Sequence, residues 1–193
     1  VLGETGAGLC ELQGVAGRVD IVMSTASKAL GGLGGIVTGP RVVIDTLVNR
    51  ARSFIYTTAV PPAQAAAVAA ALDVVRDEPW RRQKVCAMAQ RLRAELSRLS
   101  LTTLTRSDGE EPGEAGRASA VATPIVPVIV GAPQRAMDLA SHLRSRGFHA
   151  PAIRPPTVAP GSARVRISLR ADLEDDMLDR LCRALRDWPG RAG

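Results

Sequence analysis

A chain of 193 residues with 46% apolar residues has ample material for a buried core and fits one large domain or parts of two. Its 25 basic and 19 acidic residues leave a net charge of +6 and a pI near 10.2, which suits anionic ligands such as phosphates, carboxylates or coenzyme A. Aromatics are only 3%, the arginines are scattered, and no apolar run approaches the roughly 18 residues of a membrane span, so the pattern argues against nucleic-acid binding and against membrane insertion.

In chain order, Gly-rich sequence leads to a short β-branched run from Val19 to Met23, predicting a strand that ends just before Lys28. Gly35 to Gly39 predicts a second strand. Pro40 then starts a helix over Arg41 to Arg52, and Ser53 to Thr58 predicts a third strand. Pro61-Pro62 opens an alanine-rich helix over Ala63 to Val75, whose stripe of small side chains is expected in the core. After Asp77-Glu78-Pro79, the residues Val85, Met88, Ala89, Leu92, Leu96 and Leu99 recur every three or four positions. They predict an amphipathic helix with its arginines in solvent. This change of helix character divides the chain into 1–76 and 77–193.

From Leu101 a short strand is expected, then a polar surface loop from Arg106 to Ala120 that lacks apolar periodicity. A strand over Pro124 to Val130 is placed at a sheet edge by its prolines, and a helix over Gln134 to Arg146 is capped by Gly147. Strands at Phe148 to Arg154 and Arg164 to Leu169 and a helix from Leu173 to Trp188 complete an α+β arrangement with helices on one sheet face. Cys86 and Cys182 fall in helical patterns and are expected in the core. With Cys10 they are odd in number, far apart and without metal-ligand spacing, and so read as reduced thiols of a cytoplasmic protein. No signal segment opens the chain; it begins without an initiator Met, as if joined part-way through a longer sequence. His142 and His149 read as structural or exposed.

The chemistry centres on Lys28, one of two lysines in a chain that otherwise writes its positive charge as Arg. Unlike Arg, it can lose its proton. It stands at a strand's end, after the hydroxyls of Ser24, Thr25 and Ser27 and before a glycine cluster. That arrangement can hold an aldehyde cofactor: the amine condenses with it, the glycines let the backbone approach a ring, and the hydroxyls donate to anionic oxygens. On these residues alone a solvated surface loop is an equal reading. A phosphate loop is a weaker one, since Gly31-Gly32-Leu33-Gly34-Gly35 lacks the Gly-Lys-Ser/Thr ending. By themselves, Thr57 and Thr58 read as alternating faces of a strand, and Arg154 before Pro155-Pro156 as a stiff extended turn.

Three segments in this order, Ser24-Thr25-Ala26-Ser27-Lys28-Ala29-Leu30-Gly31, Phe54-Ile55-Tyr56-Thr57-Thr58-Ala59-Val60-Pro61-Pro62-Ala63 and Ala152-Ile153-Arg154-Pro155-Pro156-Thr157-Val158, resemble the α-oxoamine synthase family of pyridoxal-phosphate enzymes. The resemblance covers essentially the whole chain. It is nearest to the biotin-biosynthetic branch, ahead of those making aminoketobutyrate, aminolevulinate or ketosphinganine. It implies an α/β fold in which residues 1–76 are the C-terminal part of the large domain of a PLP-dependent transferase of fold type I, an incomplete mixed sheet with helices. Residues 77–193 would be the small C-terminal α+β domain. The implied cofactor is pyridoxal 5′-phosphate, bound covalently by Lys28, which also moves protons at the substrate α-carbon. Thr25 is implied as a donor near the cofactor phosphate, and Thr57 as a hydroxyl reaching the phosphate of a neighbouring subunit, hence a homodimer. Arg154 is implied as the clamp on the amino-acid carboxylate, a task suited to its planar fork, with Thr157 a substrate contact beside it. The implied reaction condenses L-alanine with a pimeloyl thioester of coenzyme A or a carrier protein and releases carbon dioxide.

One part of the family pattern is missing. An Asp-x-Ala-His motif precedes the segment matching Val1-Leu2-Gly3-Glu4 in the family, and this chain does not contain it. Asp20, roughly 25 Å from Lys28 along an extended strand, does not replace it. The expectation is a C-terminal half of such an enzyme, of doubtful activity alone, with an open sheet edge and apolar surface left uncovered. Two further readings stand beside it: a non-catalytic module in which 77–193 folds alone, and a half that complements a separately encoded N-terminal half.

Overall fold

The computed structural model describes residues 1–101, 103 and 123–192. The polar loop expected at 106–120 lies outside them, as does most of the short strand expected from Leu101. The chain divides into two compact units, Val1–Pro79 and Trp80–Gly193.

In the first unit, α1 (Leu9–Leu12) and a 3-10 turn at Ala16–Arg18 precede β1 (Val22–Thr25), which pairs antiparallel with β2 (Gly35–Thr38) from Val22 opposite Thr38 to Thr25 opposite Gly35. The strand starts later than Val19 and takes Ser24 and Thr25 into the ladder. α2 (Arg41–Arg50) follows Pro40, whose fixed φ suits a helix entrance. The strand expected at Ser53 to Thr58 is not formed. α3 (Arg52–Ile55) is a helical turn in its place, closed by Ile55 N–H to Ala51 O at 2.9 Å and Tyr56 N–H to Arg52 O at 3.0 Å. A strand needs a neighbour for its backbone groups, whereas a helical turn satisfies them locally, and the Arg52 guanidinium lies over the Tyr56 ring, 5.9 Å from its centroid and four residues away.

α4 (Pro62–Asp77) forms as its alanines dictate, but the core position expected for it is not observed. None of its residues is buried, and only Val68, Ala71 and Val75 are half-buried. Propensity makes the helix locally, while alanine methyls bring little area to reward burial. Among the described residues, Ala26 is the only buried residue of this unit.

The second unit holds the hydrophobic core. α5 (Trp80–Arg98) buries Val85, Met88, Ala89, Leu92 and Leu96. β3 (Ile125–Gly131), β4 (Ala152–Ile153) and β5 (Ala163–Ser168) form an antiparallel sheet in the order β3-β5-β4, so the proline-bearing β3 is an edge strand. Alternation sends Val126, Val128 and Val130 of β3 and Ala163, Val165 and Ile167 of β5 inward. They meet α5, α6 (Pro133–Ser145) and α7 (Asp175–Arg186), which supply Leu139, Leu143, Leu178, Leu181 and Leu185. The strand expected over Phe148 to Arg154 shortens to the two residues that face Val165 and Arg164, since Pro151 has no N–H to offer. α6 ends at Gly147 in the left-handed region, φ +86°, with Gly147 N–H to Arg144 O at 3.0 Å and Phe148 N–H to Leu143 O at 2.9 Å. This paired closure is the Schellman cap. Cys182 is buried and Cys86 half-buried against the same core.

Candidate functional site

Residues 26–34 form the loop of the β1–β2 hairpin, and Lys28 sits on it, exposed. The loop is tied to itself at Ala26: Ala26 N–H donates to Gly34 O at 3.0 Å and Gly32 N–H to Ala26 O at 2.8 Å, while Gly31 N–H donates to Lys28 O at 3.1 Å. Gly31 adopts φ +64° there, a conformation that a side chain resists. The Ala26 side chain is 1% exposed, so Lys28 lies two residues from the unit's one buried anchor. Beside it the Thr25 and Ser27 hydroxyls share a hydrogen bond of 2.8 Å, and Ser27 N–H also donates to Thr25 Oγ1 at 3.3 Å. The Lys28 amine makes no hydrogen bond or ion pair with any described residue. Lys84, by contrast, donates from Nζ to Leu173 O at 2.8 Å.

The hairpin thus brings Thr25 and Lys28 together. Thr57 lies on another segment of the same unit, exposed just past α3. Arg154 and Thr157 belong to the second unit, where the turn after β4 is closed by Thr157 N–H to Arg154 O at 3.0 Å. Both side chains are exposed, and the Arg154 guanidinium has no acidic partner among the described residues. His142 is structural: its Nε2 meets Ala184 O at 2.8 Å, and Arg146 stands 3.1 Å from Nδ1. His149 is exposed.

Two features of the loop's surroundings escape the sequence reading. The Thr25–Ser27 hydroxyl pair is visible only as a hydroxyl-rich stretch. The close approach of Val68 on α4 to Gly32 is another: a Cβ on Gly32 would stand 2.4 Å from Val68 Cγ2. Its faint sequence trace is the spacing of Val68, Ala71 and Val75 along one face of an alanine helix.

A cleft of about 450 Å³ between α5 and α7 lies elsewhere, lined by Arg91, Glu95, Arg98, Asp179, Cys182 and Arg183, among others. None of the sequence-predicted site residues lines it. Its charges are largely consumed across the helix pair, Arg91 with Asp179 and Arg186 with Glu95 at 2.5 Å. Burial pushes the Cys182 thiol above its ordinary value, which disfavours the reactive thiolate. This cleft reads as a helix-to-helix ion-pair lattice.

The family model of aminotransferases of class I and II matches residues 2–185. The chain is 42% identical over 185 residues to an 8-amino-7-oxononanoate synthase of Anaeromyxobacter dehalogenans, covering 96% of this chain and 43% of the relative. It is 46% identical over 187 residues to the protein of the same name from Gluconacetobacter diazotrophicus, covering 97% of this chain and 42% of that one. The chain therefore spans less than half the length of these relatives. Among solved structures, a serine palmitoyltransferase carrying PLP superposes with a TM-score of 0.85 at 23% identity, over 99% of this chain and 44% of that one. At that identity the likeness shows the fold: this chain has the α/β architecture of the corresponding part of a PLP-dependent transferase.

Proposed function

The chain belongs to the aminotransferase class I and II family, and from that membership we propose that it carries the lysine-bearing and carboxylate-binding parts of an 8-amino-7-oxononanoate synthase. The reaction is the decarboxylative condensation of L-alanine with a pimeloyl thioester, giving 8-amino-7-oxononanoate, carbon dioxide and the free thiol. The observation that carries the reading is the Lys28 loop. A primary amine with no described hydrogen-bond or ion-pair partner stands at the end of β1, beside the hydroxyls of Thr25 and Ser27. That donor set fits pyridoxal 5′-phosphate: an amine for its aldehyde and hydroxyls for its anionic oxygens. The fold neighbour that carries PLP supports the same cofactor.

Bound there, the cofactor supplies the electron sink for a carbanion at the amino-acid α-carbon. Lys28 Nζ, neutral when it acts, takes and returns the proton at that carbon. Thr25 donates towards the phosphate side. Thr57 serves a phosphate across a homodimer interface, and Arg154 grips the alanine carboxylate through two parallel N–H donors with Thr157 beside it. Reduced thiols and an anionic thioester substrate suit the cytoplasm. Among the described residues no helix is long and apolar enough to cross a membrane.

Borohydride trapping tests the reading, because the chain has only Lys28 and Lys84. After pyridoxal phosphate is added and the adduct reduced, peptide mapping should find the label on Lys28 in about tenfold excess over Lys84, the scale of one well-made interaction. Lys28→Ala should abolish the excess. Equal labelling of both lysines would mean unspecific amine chemistry and end the assignment.

A further inference from the structure

We propose that Val68 of α4 is a positioning residue for Lys28, holding the hairpin loop against the helix through Gly32; in its bearing on the cofactor this rests on the reading of Lys28 just given. Gly32 is not in the left-handed region, so a side chain there would meet no backbone penalty and only space is at issue. That space is filled by Val68 Cγ2, 2.4 Å from an added Cβ, with the Ala26 Cβ and carbonyl oxygen at 3.8 Å. A valine on a helix is confined almost wholly to one χ1 rotamer, so it cannot swing aside as a long flexible side chain would.

The contact bears on the lysine through a short chain of bonds. Gly32 N–H donates to Ala26 O at 2.8 Å, Ala26 N–H to Gly34 O at 3.0 Å, and Gly31 N–H to Lys28 O at 3.1 Å. Ala26 is the buried end of this chain. Displacing Gly32 from Val68 therefore pulls directly on the Gly32–Ala26 bond and, through the adjoining peptide, on the Gly31 N–H that holds the Lys28 carbonyl. Among the other loop glycines, an added Cβ on Gly31 meets no described atom within 4 Å, and one on Gly34 meets Val60 Cγ2 at 3.5 Å, an ordinary contact. The tight buttress is the one between Gly32 and Val68.

Gly32→Ala is the disrupting variant and Gly32→Ala/Val68→Ala the repair, because removing both γ carbons of Val68 makes room for the new methyl. Two readouts separate the positioning from the cofactor reading. In the chain without cofactor, amide exchange at Gly31 and Gly32 position should speed up about tenfold in Gly32→Ala and return to near the original rate in the double variant. In the chain given pyridoxal phosphate, affinity measured from the adduct's absorbance should fall about tenfold and recover in the same pattern. Far-UV circular dichroism should stay the same in all variants. Unchanged exchange in Gly32→Ala, or a double variant as fast as the single, overturns the buttress. Equal capture, or none, by the unchanged chain and Lys28→Ala overturns the cofactor reading alone, and the exchange rates then still decide the role of Val68.

Discussion

In the second unit the apolar stripe of α5 meets the inward rows of β3 and β5, and Leu92, Val126, Val128, Leu139 and Val165 reach zero exposure. In the first unit Met23, Val42, Phe54 and Tyr56 are 74%, 72%, 60% and 78% exposed, although the helices and the hairpin around them are as regular. The two regions separate what is local in a fold from what is not. Caps, prolines and propensity are enough to write α2 and α4. Burial requires that apolar faces converge, and among the described residues those of the first unit converge only at Ala26.

The sharpest test of the contrast is a matched pair of truncations. Leu92→Ala should cost about 2–5 kcal/mol in urea unfolding followed by far-UV circular dichroism, to which the helices of both units contribute, because the cavity it leaves is walled by close-packed neighbours. Phe54→Ala, a larger deletion, should stay within about 0.5 kcal/mol on the same probe, as for other exposed sites. A Phe54→Ala cost equal to that of Leu92→Ala would erase the distinction between the units.

What could be read beforehand follows the same division. The amphipathic spacing of α5, the alternation of β3, its edge position and the cap at Gly147 are written in local patterns, and the structure has them. So is Lys28 at a strand's end. The strand predicted at Ser53 to Thr58 does not form: Phe54, Ile55 and Tyr56 have strand-like side chains, but among the described residues no strand pairs with them to complete a ladder. The burial predicted for α4 is not observed, because an alanine stripe looks the same whether or not something covers it. The Val68–Gly32 contact joins residues 36 apart in sequence, and no periodicity encodes it. Arg154 and Thr157 were legible only through the resemblance, since a lone Arg before two prolines names no ligand.

A second, smaller effect probes how local signals contribute inside the cored unit. Gly147→Ala places a Cβ at φ +86° with no atom of a described residue within 4 Å of it, so backbone strain alone should cost about 1–2 kcal/mol. The same unfolding experiment measures it. A cost near zero would mean that the Schellman closure is redundant with the packing of Leu143 and Leu139 above it.

The smallest effect concerns charge, and its sign follows from Glu95. The Arg186 guanidinium, hydrogen-bonded to it at 2.5 Å, holds the Glu95 carboxyl below the usual carboxylate range, with Arg98 3.5 Å from the other oxygen adding to the effect. Arg186 is on α7 and Glu95 on α5, so this pair joins two elements of the core. In the first unit Arg76 likewise holds Asp77 low, but both lie on α4 and the pair ties nothing together. A carboxyl with a lowered folded-state value takes up protons more readily when unfolded, so its contribution is complete above the ordinary glutamate value, about pH 4.3. It fades as the pH falls through the lowered value. The unfolding midpoint of the second unit should therefore hold from neutrality to about pH 4.3 on this account and decline below it. Glu95→Gln should give a slightly lower midpoint at neutral pH and a shallower acid decline, whereas Asp77→Asn should leave both unchanged. An acid slope identical in Glu95→Gln and the unaltered chain would show that the α5–α7 pair, despite its geometry, contributes no more than the solvent-facing pair on α4.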